Sequence, residues 1–134
     1  MKATTFKITP ENHKLVVKRA DEAQWMPGLR EDLEYRDVGI REATNGEFGA
    51  QVIRVVQAGL EHKNGRHLHA TAFQMLYVLE GRARFFFEGM GETEVVKGDC
   101  FYQPDGLVHE ALWLSDDCQL LEITLPAEFK TAVV

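Results

Sequence analysis

The stretch Gly65-Arg66-His67-Leu68-His69-Ala70-Thr71-Ala72-Phe73-Gln74, closed by Gly81 and followed by Gly98 to His109, decides the reading of this 134-residue chain. His67 and His69 stand two apart, so on an extended strand both rings project to one face. Two imidazoles so placed can grip one cation. In the second segment, Gly98-Asp99-Cys100-Phe101-Tyr102-Gln103-Pro104-Asp105-Gly106-Leu107-Val108-His109, a strand-like run enters a Pro-Asp-Gly turn and leaves it at His109, which carries a third imidazole back toward the first two. Neutral imidazole nitrogen suits zinc, copper, iron and nickel, and three such ligands with one oxygen leave coordination positions open for water or substrate.

These residues resemble the two signature motifs of the cupin superfamily. The first motif is a glycine-led His-x-His followed by a Glu and then a Gly, and His67, His69, Gln74 and Gly81 fall on those places. The second is Gly, five residues, Pro-x-Gly, two residues, His, and Gly98, Pro104, Gly106 and His109 match it. The resemblance implies an all-β fold, a jelly-roll barrel of two antiparallel sheets. It also implies one divalent transition metal ion (Fe, Mn, Ni or Zn) held by His67, His69, Gln74 and His109. The chain departs from the pattern twice: Gln74 replaces the family's metal-binding carboxylate, and Trp113 replaces the closing Asn of the second motif. A glutamine offers a carbonyl oxygen but accepts no proton as a carboxylate does. A reaction needing that Glu as base would have to draw on metal-activated water or on the substrate itself.

Each residue also has a structural reading. A His-x-His pair occurs on strands as packing, and a buried glutamine can simply tie backbone groups together. His13 and His62 lie outside the motifs and read as solvated side chains. Cys100 and Cys118 lack zinc-finger spacing and read as buried thiols, Cys100 near enough to the second motif to face the cavity.

Strand alternation extends the pocket. From His109 the same face carries Ala111 and Trp113 if the strand is regular, and from Gln74 it carries Leu76 and Val78. Trp113 and Leu76 read equally as barrel filling. Arg54, the odd polar residue in the run Val-Ile-Arg-Val-Val, would bind a substrate carboxylate if it points inward and pair with an acid if it points outward.

Turn dipeptides at Asn45-Gly46, Asn64-Gly65, Gly89-Met90-Gly91, Asp105-Gly106 and Ser115-Asp116-Asp117 divide short apolar runs, the rhythm of a sandwich or barrel. The expected strands are 14–18, 34–41, 50–57, 73–79, 82–87, 92–97, 100–103, 108–114 and 119–125. Residues 20–25 have room for one helical turn before Pro27 and Gly28. Residues 1–134 make one domain, with about the first 30 as an arm over the barrel. Strands apolar on both faces need cover on both, which the arm or a second copy supplies, so a homodimer is expected.

With 15 Lys and Arg against 21 Asp and Glu, the net charge of -6 argues against a nucleic-acid partner. No apolar run approaches membrane-spanning length and the amino terminus lacks the order of a secretory signal, so no membrane partner and a cytoplasmic location are expected. The partner is then a small molecule. Resemblance to three-histidine cupins puts a metal-dependent dioxygenase-type oxidoreductase acting on an oxygenated small molecule first. A non-redox isomerase, cyclase or lyase using the ion as a Lewis acid stands second, and a non-catalytic binding module third.

Overall fold

The computed structural model describes residues 6–28, 30–56 and 65–134. Their strands form two antiparallel sheets. The first holds, in spatial order, β1 (Met26–Pro27), β2 (Leu33–Asp37), β3 (Gly49–Val55), β10 (Gln119–Leu125), β5 (Phe73–Glu80) and β8 (Cys100–Tyr102). The second holds β11 (Thr131–Val133), β4 (His67–His69), β9 (His109–Leu114), β6 (Arg82–Phe87) and β7 (Gly91–Val96). The chain passes from one sheet to the other along its length, which makes this a jelly roll.

Strand alternation builds the interior. On β6 the buried positions are Ala83, Phe85 and Phe87, and on β5 they are Gln74, Leu76 and Val78. These side chains meet Leu33, Val95, Leu114, Cys118 and Leu120 in one cluster drawn from both sheets. Phe101 of β8 crosses the gap, its ring centre 5.0 Å from Phe85 and 5.3 Å from Phe87. Burying each such side chain contributes roughly 1.5–3 kcal/mol. At the β5–β6 turn, Gly81 has φ of +72°, and a Cβ there would lie 2.5 Å from Ser115 Oγ and 2.8 Å from the Cys118 Cα. The glycine of the first motif is thus a packing requirement of this hairpin against the loop before β10.

Several expectations change. Residues 14–18 form no strand: the Lys14 amide reaches the Ala43 carbonyl at 2.8 Å but no ladder follows, and Leu15 and Val17 face solvent at 92% and 61% exposure. The run expected over 34–41 stops at Asp37, whose Oδ1 accepts the Gly39 amide at 2.6 Å. Gly39 then turns with φ of +88° into a short helix, α1 (Ile40–Ala43). The single turn expected before Pro27 is present as a 3-10 turn at Ala20–Glu22. Cys118 is buried, and burial with Asp117 beside it pushes its thiol up to about 11. Cys100 instead lies exposed on β8.

The arm is pinned by a buried acid. Glu47 accepts from the Thr9 amide at 3.0 Å, from the Thr9 hydroxyl, and from His13 Nε2 at 2.7 Å. His13 is therefore a hydrogen-bond partner of Glu47 rather than a solvated side chain. His62 lies outside the described residues.

Candidate metal centre

His67 and His109 are cross-strand partners of β4 and β9, and His69 follows on the same face of β4. The turn between β8 and β9 brings them together. Gly106 donates its amide to the His69 carbonyl at 2.9 Å, and Asp105 Oδ1 accepts the Thr71 amide at 3.1 Å. The Pro-Asp-Gly turn of the second motif is therefore bonded to the backbone of the first. Ring centres of the three histidines lie 4.4–5.0 Å apart, and each ring offers one nitrogen to a group no more than 4.8 Å across.

Hydrogen bonds decide which nitrogen that is. His67 Nδ1 donates to the Gly65 carbonyl at 3.2 Å and His109 Nδ1 to the Leu107 carbonyl at 2.9 Å. A carbonyl only accepts, so both rings carry their proton on Nδ1 and keep the Nε2 lone pair. His69 Nδ1 sits 2.7 Å from Thr131 Oγ1, a hydroxyl able to accept its proton in the same way. Burial holds the His69 imidazole down to about 3, with His109 and His67 adding to the effect. Burial lowers His109 too, against the Leu107 bond that raises it. Neutral rings fixed through Nδ1 and converging through Nε2 fit a divalent cation. Metal–nitrogen bonds of about 2.0–2.1 Å would draw the rings somewhat closer together.

The imidazoles open onto a cavity of about 560 Å³ whose apolar wall includes Leu33, Ile53, Leu76, Phe85, Leu114 and Leu120. Gln74 lines it, 2% exposed, and its Nε2 donates to Glu122 Oε2 at 3.1 Å. That bond leaves the Gln74 carbonyl oxygen as the end able to meet a cation. Gln51 Nε2 donates to the other oxygen of Glu122 at 2.9 Å. Burial raises the Glu122 carboxyl above the usual carboxylate range, and the two amide bonds only partly oppose it. Glu122 lines this cavity and also a smaller cleft that it shares with Gln51, Thr124 and Phe129. A larger surface groove, about 980 Å³ and lined by residues within 14–26 among others, shares no residue with this cavity.

Of the residues expected to line the pocket from sequence, Leu76 does so. Trp113 does not: a bulge in β9 pairs Phe85 with Ala111 but Arg84 with Trp113, so alternation slips by one at Leu112. Trp113 faces outward, 37% exposed, with the Arg82 guanidinium 5.3 Å from its ring centre, and Leu114 takes the inward place. Arg54 also faces outward, bonded to Glu34 at 2.8 Å and stacked 3.8 Å over Trp25. Val78 is fully buried in the core. Sequence reasoning missed Glu122, Gln51, Tyr35 and Gln103. The criterion that singled out Arg54, a charged residue flanked by apolar ones, applies equally to Glu122 in Gln-Leu-Leu-Glu-Ile-Thr-Leu.

The Cupin domain family matches residues 53–124, more than half of the chain. The chain belongs to the cupin family. This cupin resembles KdgF from Halomonas sp. at 19% identity and a TM-score of 0.62, covering 84% of this chain and 96% of that one. It resembles the polyketide cyclase RemF from Streptomyces resistomycificus at 17% identity and a TM-score of 0.70, covering 90% and 86%. A cupin-superfamily sugar phosphate isomerase from Silicibacter pomeroyi is similar at 18% identity and a TM-score of 0.63, covering 96% and 81%. At these identities the likeness establishes the fold of this cupin. No curated protein sequence matches it.

Proposed function

We propose that this cupin is a metal-dependent enzyme that moves a proton, without net redox change, on a small oxygenated molecule: an isomerase, cyclase or lyase. The observation that carries the reading is the shared cavity of three imidazoles and the Glu122 carboxyl. Residues His67, His69 and His109, with the Gln74 carbonyl oxygen, would hold the ion. When bound, the ion supplies Lewis acidity toward a ligand oxygen. Glu122 in its ionised form takes a proton from the carbon beside that oxygen, and the electron pair left behind moves into the ligand's C–O system. The same carboxyl returns the proton at the neighbouring position. Its raised affinity for protons suits both halves of the exchange. Gln51 and Gln74 keep the carboxyl aimed, and the apolar wall keeps bulk water from the reacting carbon.

Among the similar proteins a polyketide cyclase and a sugar phosphate isomerase carry names of this reaction class. The dioxygenase-type reading drew its place from the three-histidine set alone, and Glu122 supplies the proton carrier that the substitution of Gln74 had removed. The test loads the protein with Zn(II) or Fe(II) and follows deuterium uptake from D2O into a panel of α-hydroxy ketones and β-keto acids, with dioxygen consumption recorded in parallel. Deuterium uptake with Zn(II), lost in Glu122→Gln, is the expected result. Dioxygen consumption confined to the Fe(II) protein, with no solvent exchange under Zn(II), would return the dioxygenase reading to first place.

A further inference from the structure

Most polar side chains facing the cavity already have a partner within the protein. The imidazoles hold backbone carbonyls or Thr131 through Nδ1, Gln51 and Gln74 hold Glu122, and Arg30 holds Asp32 at 3.0 Å. Two do not. Gln103 is 3% exposed and lines the cavity, yet among the described residues its only hydrogen bond is through the backbone, to the Gln74 carbonyl at 2.9 Å. Its side-chain amide keeps some accessible surface at a position that lines the cavity. Tyr35 likewise lines the cavity, and its hydroxyl has no hydrogen-bond partner among the described residues.

An unpaired amide facing an apolar-walled space forfeits hydrogen bonds that a polar ligand entering the cavity can supply. The Tyr35 ring is held in place besides: a Cβ on Gly28 would fall 1.9 Å from its Cε2, so the glycine backbone lies directly against the ring edge. We infer that Gln103 and Tyr35 are the ligand-reading residues of this cavity and that its ligand is an extended chain oxygenated along its length. An amide that both donates and accepts suits a hydroxyl, and a phenol O–H suits a carbonyl or carboxylate oxygen. Tyr35 lies on β2 and Gln103 just past β8, with β3, β10 and β5 between them. Tyr35 and Gln103 thus stand four strand spacings apart, about 19 Å along the sheet before its curvature and the two side chains shorten the gap, so a ligand that meets both presents oxygens at two separate positions. Glu122 and Gln74 stand between the two anchors, so a ligand spanning them presents its middle to the imidazoles. That last step rests on the metal-dependent reading above; the two anchors do not.

The test uses two six-carbon acids, D-gluconate and hexanoate, which share length and charge and differ in hydroxyls. Calorimetry on the Zn(II)-loaded and metal-free protein is expected to show tighter binding of D-gluconate. Tyr35→Phe and Gln103→Leu should each weaken D-gluconate about tenfold, the loss of one well-made hydrogen bond, with zinc content unchanged in both and hexanoate binding unchanged in Gln103→Leu. Equal affinity for the two acids, no binding of D-gluconate, or wild-type affinity in both variants overturns the inference. Should Gln103→Leu not fold, Tyr35→Phe, which removes one oxygen, decides alone. Failure of zinc loading or of deuterium uptake counts against the proposed function only, because the affinities are also read on the metal-free protein.

Discussion

Gln74 and Glu122, 48 residues apart in sequence, share a 3.1 Å hydrogen bond in which the amide donates and the carboxyl accepts. The cupin motif's carboxylate position thus holds an amide here, and a carboxyl stands beside it on the neighbouring strand β10. In the proposed reaction this moves charge from the place of a ligand to the place of a proton carrier. A neutral oxygen ligand leaves the ion its full dipositive charge, while Glu122 remains free to exchange protons.

Glu122→Gln should keep the metal and lose proton transfer. It should also change the pH dependence of stability. Burial raises the folded Glu122 above the ordinary 4.5, so its contribution is present below pH 4.5 and is lost as pH rises through the raised value. Urea midpoints of the metal-free proteins should therefore shift in favour of Glu122→Gln between pH 5 and pH 8. A constant difference would mean the carboxyl titrates normally.

Gln74→Glu sets a second carboxylate against Glu122. The metal-free variant should be destabilised by like charge in a shared cavity, and zinc should bind it more tightly than the wild type because the ligand is now anionic. Competition with a chromophoric chelator measures the affinity. Weaker zinc binding in a folded variant would remove Gln74 from the ligand set.

Metal-free protein should lose stability in mild acid. His69 is held down to about 3 against an ordinary 6.5, so below pH 6.5 the unfolded chain takes a proton that the folded chain refuses. Stability present above pH 6.5 is lost as pH falls toward 3, and His109 acts in the same direction. Thermal melts at pH 7.5 and 5 should show a smaller fall for His69→Gln than for the wild type. Parallel falls would place the loss elsewhere. The same variant should retain little zinc by elemental analysis.

Glu47→Ala should release the arm. The acid holds Thr9 and His13, and its loss leaves the Lys14 amide bond to Ala43 as a short-range tether. Limited trypsin digestion should cut at Lys14, Lys18 or Arg19 several times faster in the variant, with the barrel intact. An unchanged rate would show that other contacts hold the arm.

Gly81→Ala tests the first motif's glycine. With φ of +72° and a Cβ contact of 2.8 Å to the Cys118 backbone, the added methyl meets both strain and a clash. A destabilisation of about 1–3 kcal/mol is expected by urea denaturation. A loss below 0.5 kcal/mol, on the scale of an ordinary surface change, would mean that the hairpin shifts freely.

The amino-acid sequence by itself determined the elements whose cause is local. The spacing of His67 and His69 puts two rings on one face wherever that segment is extended. Turn residues mark the hairpins, and the runs 82–87 and 119–125 appear as strands with the bounds read from their apolar pattern. The third imidazole was legible because the Pro-Asp-Gly turn before His109 is a short-range device. Tertiary structure alone decided what depends on register and on strands distant in sequence. A one-residue bulge at Leu112 turned Trp113 out of the cavity, and alternation counted from His109 has no means of detecting it. Arg54 points outward because Glu34 and Trp25 cover that face of the sheet. Glu122 reaches Gln74 because β10 lies between β3 and β5, a pairing set by how the whole barrel buries its apolar faces rather than by any residue near either partner. The candidate metal ligands are therefore written in two short motifs, and the residues that would give the ion its chemistry are assembled by the fold.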